Sequence, residues 1–444
     1  MKMPCAMSIA GSDSGGGAGI EADAKTFAAL GVHGLVVIAA VTAQNTKGVT
    51  GVMEMPPSFV IQQIDTLMND FDVCYGKTGM LGSADIVGTV AAAARHYKLK
   101  LVVDPVMASA TGSPLMRDGA HDALKELIAR AVLVTPNVPE AERLAGIKVN
   151  NIADMKRAAM IIAKLGASVL VKGGHMKGKV VTDVLLHKGK FTELSGPRLT
   201  TDRTHGTGCS LSSAIAAELA KGAGLEESVV SARSFLMSAI EGRLRVGAGI
   251  MPVDQMAVLR HDAEAGRAAA EVWGATNLLL SDPNFPKLIP EVGINIVMAL
   301  TGATKKSDVV GLSGRIVKSD DRAVVTGFPE LGGSGHVANV VLAAIKHNPQ
   351  IKSAMNIRFS DENLKALRKL GLSIGSFERK NEPRGVSTME WGTDFTIRKL
   401  GKVPNAVYDR GGVGKEAMIR LIGTTPGNVA ELALKVAKRG KAEI

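Results

Sequence analysis

Short apolar runs alternate with stretches of helical period through the first half of the chain. The runs lie at 6–9, 36–40, 101–103, 132–135 and 169–172, and the helical stretches between them include 86–96, 115–131 and 155–165. A strand buried on both faces reads as a continuous apolar run, whereas a half-exposed strand alternates polar and apolar residues. Parallel strands also need a crossover between them, most often a helix. The pattern therefore predicts an α/β fold with a mainly parallel sheet covered by helices on both faces.

The chain has 444 residues, more than one ordinary core absorbs, so two domains are expected. Composition changes at 246–267, where GAGIMPVDQ carries Gly and Pro punctuation and a polar, Ala-rich helical stretch follows at 256–273. We place a first domain at 1–257, a linker at 258–267 and a second domain at 268–444. The second half again mixes strands (323–326, 354–357, 407–409) with helices (335–346, 362–370, 428–438), which predicts a second α/β domain.

The net charge of +11 admits anionic partners, but no long Lys/Arg block interleaves with aromatic residues, which argues against nucleic acid. Cys5, Cys74 and Cys209 are too few and too scattered for a disulfide framework or a zinc site. That usage, with no signal-peptide pattern and no apolar run of membrane length, predicts a cytoplasmic protein.

The stretch 201–217 reads TDRTHGTGCSLSSAIAA. Gly206, Thr207 and Gly208 make a turn that opens directly into a helix of small residues. Such a turn lets backbone N–H groups converge on an anion, and the helix N-terminus adds unpaired donors and partial positive charge. Phosphoryl transfer needs a preorganised cradle of this kind. Cys209 falls in the first turn, where a thiolate is stabilised and can take a proton from an attacking hydroxyl. Taken alone, these residues also make an ordinary helix cap with a small buried thiol.

Other residues supply the remaining parts. Asp104 follows the run LVV, Asn137 and Glu140 stand in TPNVPE, and Lys172 ends VLVK, so all four lie at the C-terminal ends of predicted strands. Ligands of open α/β sheets bind there, and oxygen donors suit Mg²⁺ shared with phosphates. Singly, each serves equally well as a cap, turn residue or surface charge; together they predict an ATP–Mg²⁺ site. The Gly-rich segment 11–23, GSDSGGGAGIEAD, lacks the Gly-Lys-Ser/Thr ending of a P-loop. It suits close backbone approach to a flat substrate, or a flexible turn.

In order, the motifs GSDSGGGAGIEADAKTFAALG, VTAQNTKGV, KTGMLGS, VVDPVM, TPNVPEAE, VKGGH and THGTGCS make residues 3–254 resemble hydroxymethylpyrimidine kinase / phosphomethylpyrimidine kinase. The resemblance implies a ribokinase-like fold and two ATP-dependent phosphorylations, taking hydroxymethylpyrimidine through its phosphate to the pyrophosphate. It also implies roles: Gln44 pairs with the pyrimidine edge, and Gly11, Asp23 and Met80 line the pocket. Cys209 is then the base, Gly206, Thr207 and Gly208 the anion hole, and Lys172, Asn137, Glu140 and Asp104 the ATP–Mg²⁺ positions. Glu21 departs from the family's GIQAD pattern. Pyridoxal kinases share the fold and the Cys turn; the Gln44 loop favours the pyrimidine. The family also implies a homo-oligomer.

In the second half, SGRI, ELGGSGHVAN and DRGGVGK place Arg315, His336 and Lys415 near Gly-rich turns suited to anions. An interior His and a surface Arg are the plain alternative. With NIVMALTGA, VVGLSGRI, FPELGGSGHVAN, MNIRFS and YDRGGVGKE, residues 267–439 resemble a ThiN-type thiamine-phosphate synthase domain. That resemblance implies condensation of the pyrimidine pyrophosphate with thiazole phosphate, with Arg315 and His336 functional. Related domains also sense ligands in transcription regulators. No helix-turn-helix reader is evident here, but a thiamine-phosphate sensor acting on the kinase stays open.

Overall fold

The computed structural model describes residues 2–109, 112, 115–117, 119–199, 204–383, 385, 387–412 and 414–439. The chain divides into two compact units, Met1–Leu259 and Arg260–Ile444.

The first unit is built on a nine-stranded sheet of β1 Cys5–Gly11, β2 His33–Asn45, β3 Gly48–Glu54, β4 Tyr75–Thr78, β5 Lys100–Val103, β6 Leu133–Val134, β7 Ser168–Val171, β8 Val180–His187 and β9 Lys190–Pro197. They lie in the order β3-β2-β1-β4-β5-β6-β7-β8-β9. Pairings from β2 through β7 are parallel, and the hairpins at both edges are antiparallel. Successive strand residues enter opposite cores. Leu101 and Val103 face one, with Val169 and Val171, while Val102 and Leu170 face the other. The first core is closed by helices α2 Pro57–Met68, α3 Ala84–His96, α4 Ala120–Ile128, α5 Val138–Ala145 and α6 Ile152–Ala163. The second is closed by α1 Gly19–Ala29, α7 Thr207–Ala220 and α8 Leu225–Glu241. This two-sided burial is why the strands read as unbroken apolar runs.

Two expected elements shift most. The run at 36–40 is the middle of the longer β2, whose far half alternates exposed Val41 and Ala43 with buried Thr42 as it pairs with β3. Helix α4 starts at Ala120, not 115, because Gly119 caps it at φ 89°. The segment placed as a linker, 258–267, lies inside α9 Ala257–Ser281, in keeping with the helical stretch expected at 256–273; its Ala, Glu and Arg content favours helix.

The second unit carries a seven-stranded sheet. Its strands are β10 Ile296–Ala299, β11 Val309–Leu312, β12 Pro329–Leu331, β13 Ser353–Arg358, β14 Ile374–Ser376, β15 Ala406–Asp409 and β16 Met418–Gly423, in the order β12-β11-β10-β13-β16-β15-β14. Only β14 and β15 run parallel. Helices α9, α11 Asp361–Lys369 and α13 Pro426–Arg439 cover one face, and α10 Val337–His347 and α12 Thr388–Leu400 the other. The run expected as a strand at 323–326 belongs to a separate two-stranded ribbon, Ile316–Ser319 with Arg322–Val325. Among the described residues no helix is long and apolar enough to cross a membrane.

Candidate active site

A cavity of about 690 Å³ opens at the C-terminal ends of the parallel strands of the first unit. Gly11, Gln44 and Met80 line it, as do Asp104, Asn137, Glu140 and Lys172, and the turn from Gly206 to Cys209. Residues expected at a site from distant stretches of sequence thus face one space. Residues 201–203 of the same motif lie outside the described residues.

The turn before α7 depends on glycine. Gly206 caps the helix at φ 85°, and a Cβ there would stand 1.9 Å from the Gly17 carbonyl oxygen. At Gly208 a Cβ would press to 3.1 Å from Asp104 Oδ2 and 3.3 Å from Lys172 Nζ. The absent side chain lets the helix N-terminus approach the charged residues over it.

Lys172 Nζ lies 2.8 Å from Asp104 Oδ1, and Thr135 Oγ1 donates to the same oxygen at 3.3 Å. Asn137 and Glu140 form a capping box on α5: Asn137 Oδ1 accepts from the Glu140 N–H at 3.0 Å, and the Asn137 N–H donates to Glu140 Oε2 at 2.8 Å. The structural and functional readings of these two residues therefore coexist. Burial pushes the Glu140 carboxyl up to about 7; the Lys172 ammonium opposes the rise and Asp104 adds to it. For Lys172, burial disfavours the ammonium, but the Asp104 and Glu140 carboxylates outweigh it and hold the pKa above its ordinary value.

Two expectations need correction. Asp23 does not line the cavity. It is fully buried beneath it, accepting from Lys77 Nζ at 2.9 and 2.8 Å, Ser8 Oγ at 2.5 Å and Ser213 Oγ at 2.7 Å. A carboxylate on the inner face of α1 is tolerated only with such partners. The helix start also fails to make Cys209 a resting thiolate. Burial pushes its thiol up to about 11, against the lowering pull of the Lys77 ammonium and the Gly19 N–H and with Asp23 and Asp104 adding to the rise.

Lys77 was not singled out from the sequence, although a charged residue in the short strand β4 is a signal for a buried partner. Burial opposes its charge, but Asp23, Cys209 and Asp104 together raise its pKa above the ordinary value. Replacing one member of such a pair strands the other charge and costs about 3–5 kcal/mol. Lys77→Met should lower stability by that amount in a urea melt, and adding Asp23→Asn should recover part of it. A double variant no more stable than Lys77→Met would contradict the pairing.

Asp13 and His205 also escaped notice. They stand 192 positions apart in sequence and meet at 2.7 Å between Asp13 Oδ2 and His205 Nε2. Glu21, the departure from the family pattern, accepts from the Asp13 N–H at 2.7 Å; a Gln carbonyl can accept the same bond.

In the second unit Arg315 and His336 are both exposed. The Arg315 guanidinium donates to the Val292 carbonyl and its N–H to Thr326 Oγ1 at 3.0 Å, while His336 stands at the N-cap of α10. Among the described residues no hydrogen bond links the two. Lys415 closes the Gly-rich loop through paired 3.0 Å bonds between its backbone and that of Gly412; Val413 lies outside the described residues. Asp409, at the start of that loop, is buried between Arg379 Nε and Arg420 Nη1, each at 2.6 Å, and accepts from the Gly411 N–H at 2.8 Å.

The phosphomethylpyrimidine kinase family model matches residues 13–254, and the model for thiamine-phosphate synthase ThiN matches 271–435. The chain is 35% identical to the bifunctional thiamine biosynthesis protein ThiDN of Methanocaldococcus jannaschii, over 94% of each. It is 47% identical to the hydroxymethylpyrimidine/phosphomethylpyrimidine kinase of Rhizobium meliloti, over 56% of this chain and 95% of that one. Among solved structures, a Bacillus subtilis pyridoxal kinase in complex with ADP is 34% identical with a TM-score of 0.54, covering 58% of this chain and 99% of that one. The first unit therefore has the fold of these kinases.

Proposed function

The chain belongs to the phosphomethylpyrimidine kinase family, in the form fused to a ThiN-type thiamine-phosphate synthase domain, and from that membership we propose how its residues carry out the steps of thiamine biosynthesis. The first unit phosphorylates hydroxymethylpyrimidine with ATP and then phosphorylates the product to the pyrophosphate. The second condenses that pyrophosphate with thiazole phosphate, giving thiamine phosphate and pyrophosphate. The observation that carries the reading is that Gln44, the turn Gly206–Cys209 and the Asp104–Glu140–Lys172 group line a single cavity.

In phosphoryl transfer through a loose transition state, charge spreads over the equatorial oxygens of the moving group. The N–H groups of the turn at the start of α7 and the Lys172 ammonium provide fixed positive potential for those oxygens. Asn137, Lys172, Asp104 and Glu140 serve the nucleotide. Mg²⁺ fits this donor set: two carboxylates stand close enough that Asp104 helps raise Glu140, and a cation would offset that repulsion. Asp104 and Glu140 would hold it, with phosphates and water completing its shell. The chemistry it would supply there is neutralisation of phosphate charge.

Gln44 reads the heterocycle. A buried amide that loses its partner, or a substrate edge left unpaired, costs about 1–3 kcal/mol. Gln44→Ala should therefore raise the KM for hydroxymethylpyrimidine by about 5- to 150-fold while the KM for ATP changes little. Equal effects on both, or none, would count against the role. The reading as a whole is tested by supplying ATP with hydroxymethylpyrimidine or pyridoxal and resolving the products. Formation of the pyrimidine phosphate and then the pyrophosphate is expected, whereas turnover of pyridoxal alone would overturn it.

A further inference from the structure

Gln44 can read a heterocycle only if its amide is held in one of two orientations. An amide presents a donor and an acceptor in similar shapes, so its neighbours decide which end faces which way. Here the neighbours settle the matter. Asp13 is buried, and its carboxylate accepts from Gly15 N–H at 2.9 Å, Gly17 N–H at 3.1 Å and Ala18 N–H at 2.8 Å. Burial would raise its pKa, but the His205 bond and charge and these N–H groups hold it below the ordinary carboxylate range. It is an ionised acceptor. His205 Nε2, 2.7 Å away, must therefore carry a proton and donate it to Asp13.

Gln44 Nε2 is placed 3.1 Å from the same His205 nitrogen and Oε1 3.4 Å from Thr42 Oγ1, but the two ends of an amide are interchangeable in shape and are assigned from their partners. A protonated Nε2 cannot accept from an NH₂ group, so the end of Gln44 that faces it is the carbonyl oxygen. Turning the amide brings its NH₂ to Thr42 Oγ1, whose hydroxyl donates to the Ser12 carbonyl at 2.8 Å and is thus free to accept. The Gln44 backbone is pinned as well: its N–H and its carbonyl both bond Ser14 Oγ at 2.8 Å.

We propose that Asp13 and His205 are positioning residues that lock the Gln44 amide with its carbonyl toward His205 and its NH₂ toward Thr42, and so make the cavity select an aminopyrimidine edge over an oxopyrimidine edge. An aminopyrimidine presents an amino donor beside a ring-nitrogen acceptor. It pairs with the locked amide when the amino group meets the carbonyl and the ring nitrogen meets the NH₂. An oxopyrimidine in its lactam form presents an acceptor beside an N–H donor. To pair in the same pose it needs the amide turned by 180°, which the His205 N–H opposes. This inference rests on the pyrimidine-kinase reading and adds the source of its specificity.

The test compares 4-amino- and 4-oxo-5-hydroxymethylpyrimidine as substrates of the full chain. His205→Phe frees the amide to turn, so the preference in kcat/KM for the amino compound should fall by about 10- to 100-fold, the range a lost buried hydrogen bond sets. Most of the change should lie in the pyrimidine KM, with the ATP KM moving less than about twofold, as for a separate subsite. His205→Gln, whose NH₂ can donate to both Asp13 and the Gln44 carbonyl, should restore the preference. An unchanged preference in His205→Phe, or an equal loss for both pyrimidines without rescue by His205→Gln, overturns the proposal. A second readout needs no substrate. Nitrogen-15 spectra of the histidine-labelled chain should show His205 protonated at Nε2, and a bare Nε2 overturns the lock. If Nε2 carries its proton but the wild-type chain phosphorylates neither pyrimidine, the substrate reading has failed and the lock stands as a feature of the loop alone.

Discussion

Cys209→Ala is expected to leave hydroxymethylpyrimidine binding nearly intact and to slow phosphoryl transfer by about two to four orders of magnitude, the range for loss of a positioned acid–base group. Cys209 stands in the first turn of α7 and lines the cavity with the turn Gly206–Gly208 beside it. Its thiol, pushed up to about 11 by burial, is protonated at rest at neutral pH. The substrate hydroxyl becomes acidic only as it bonds to phosphorus, so the proton leaves late in a loose transition state, and the acceptor is the minor thiolate form of Cys209, which the Lys77 ammonium favours. Cys209→Asp supplies a carboxylate at the same place and should recover part of the lost rate. Single-turnover rates with saturating ATP measure the step, and near-normal turnover of Cys209→Ala would remove the residue from the mechanism.

Arg315→Ala should lower thiamine phosphate formation by about 10²–10³, the usual cost of losing one donor that stabilises developing charge. Pyrophosphate departs from a benzylic-like carbon in that step, and a guanidinium offers a fork matched to its oxygens. Arg315 is exposed, so its removal strands no buried partner. Kinase activity should stay within the about 0.5 kcal/mol by which separate sites rarely interact. The variant should accordingly accumulate hydroxymethylpyrimidine pyrophosphate. His336→Ala should behave in the same direction with a smaller loss. Loss of hydroxymethylpyrimidine phosphorylation in Arg315→Ala would contradict this division of labour.

The sheet of the first unit was legible because its strands are buried on both faces. Leu101, Val102 and Val103 read as one apolar run precursor to Asp104, and the carboxylate's place at the strand end followed directly. Gly206 and Gly208 were legible as a close-approach turn for the same local reason. What stayed hidden depends on partners remote in sequence. The resemblance put Asp23 in the pocket lining, and nothing in its sequence neighbourhood announces Lys77, 54 positions away and equally buried. The pairing of Asp13 with His205 is likewise visible only when the Gly-rich loop and the helix start are brought together. The thiolate expectation for Cys209 failed because local helix polarity was weighed without the burial that outweighs it. In the second unit the β/α alternation was legible, but Arg322–Val325 reads like a sheet strand and forms a separate ribbon, since its pattern does not encode its partner.

The account stands most directly on one product time course. The full chain is incubated with ATP, Mg²⁺, hydroxymethylpyrimidine and thiazole phosphate, and the pyrimidine phosphate, pyrimidine pyrophosphate and thiamine phosphate are followed together. Sequential rise of the two pyrimidine products, followed by thiamine phosphate, is the predicted result. Accumulation of the pyrimidine pyrophosphate without thiamine phosphate, in a chain that binds added thiamine phosphate tightly, would make the second unit a sensor and contradict the account.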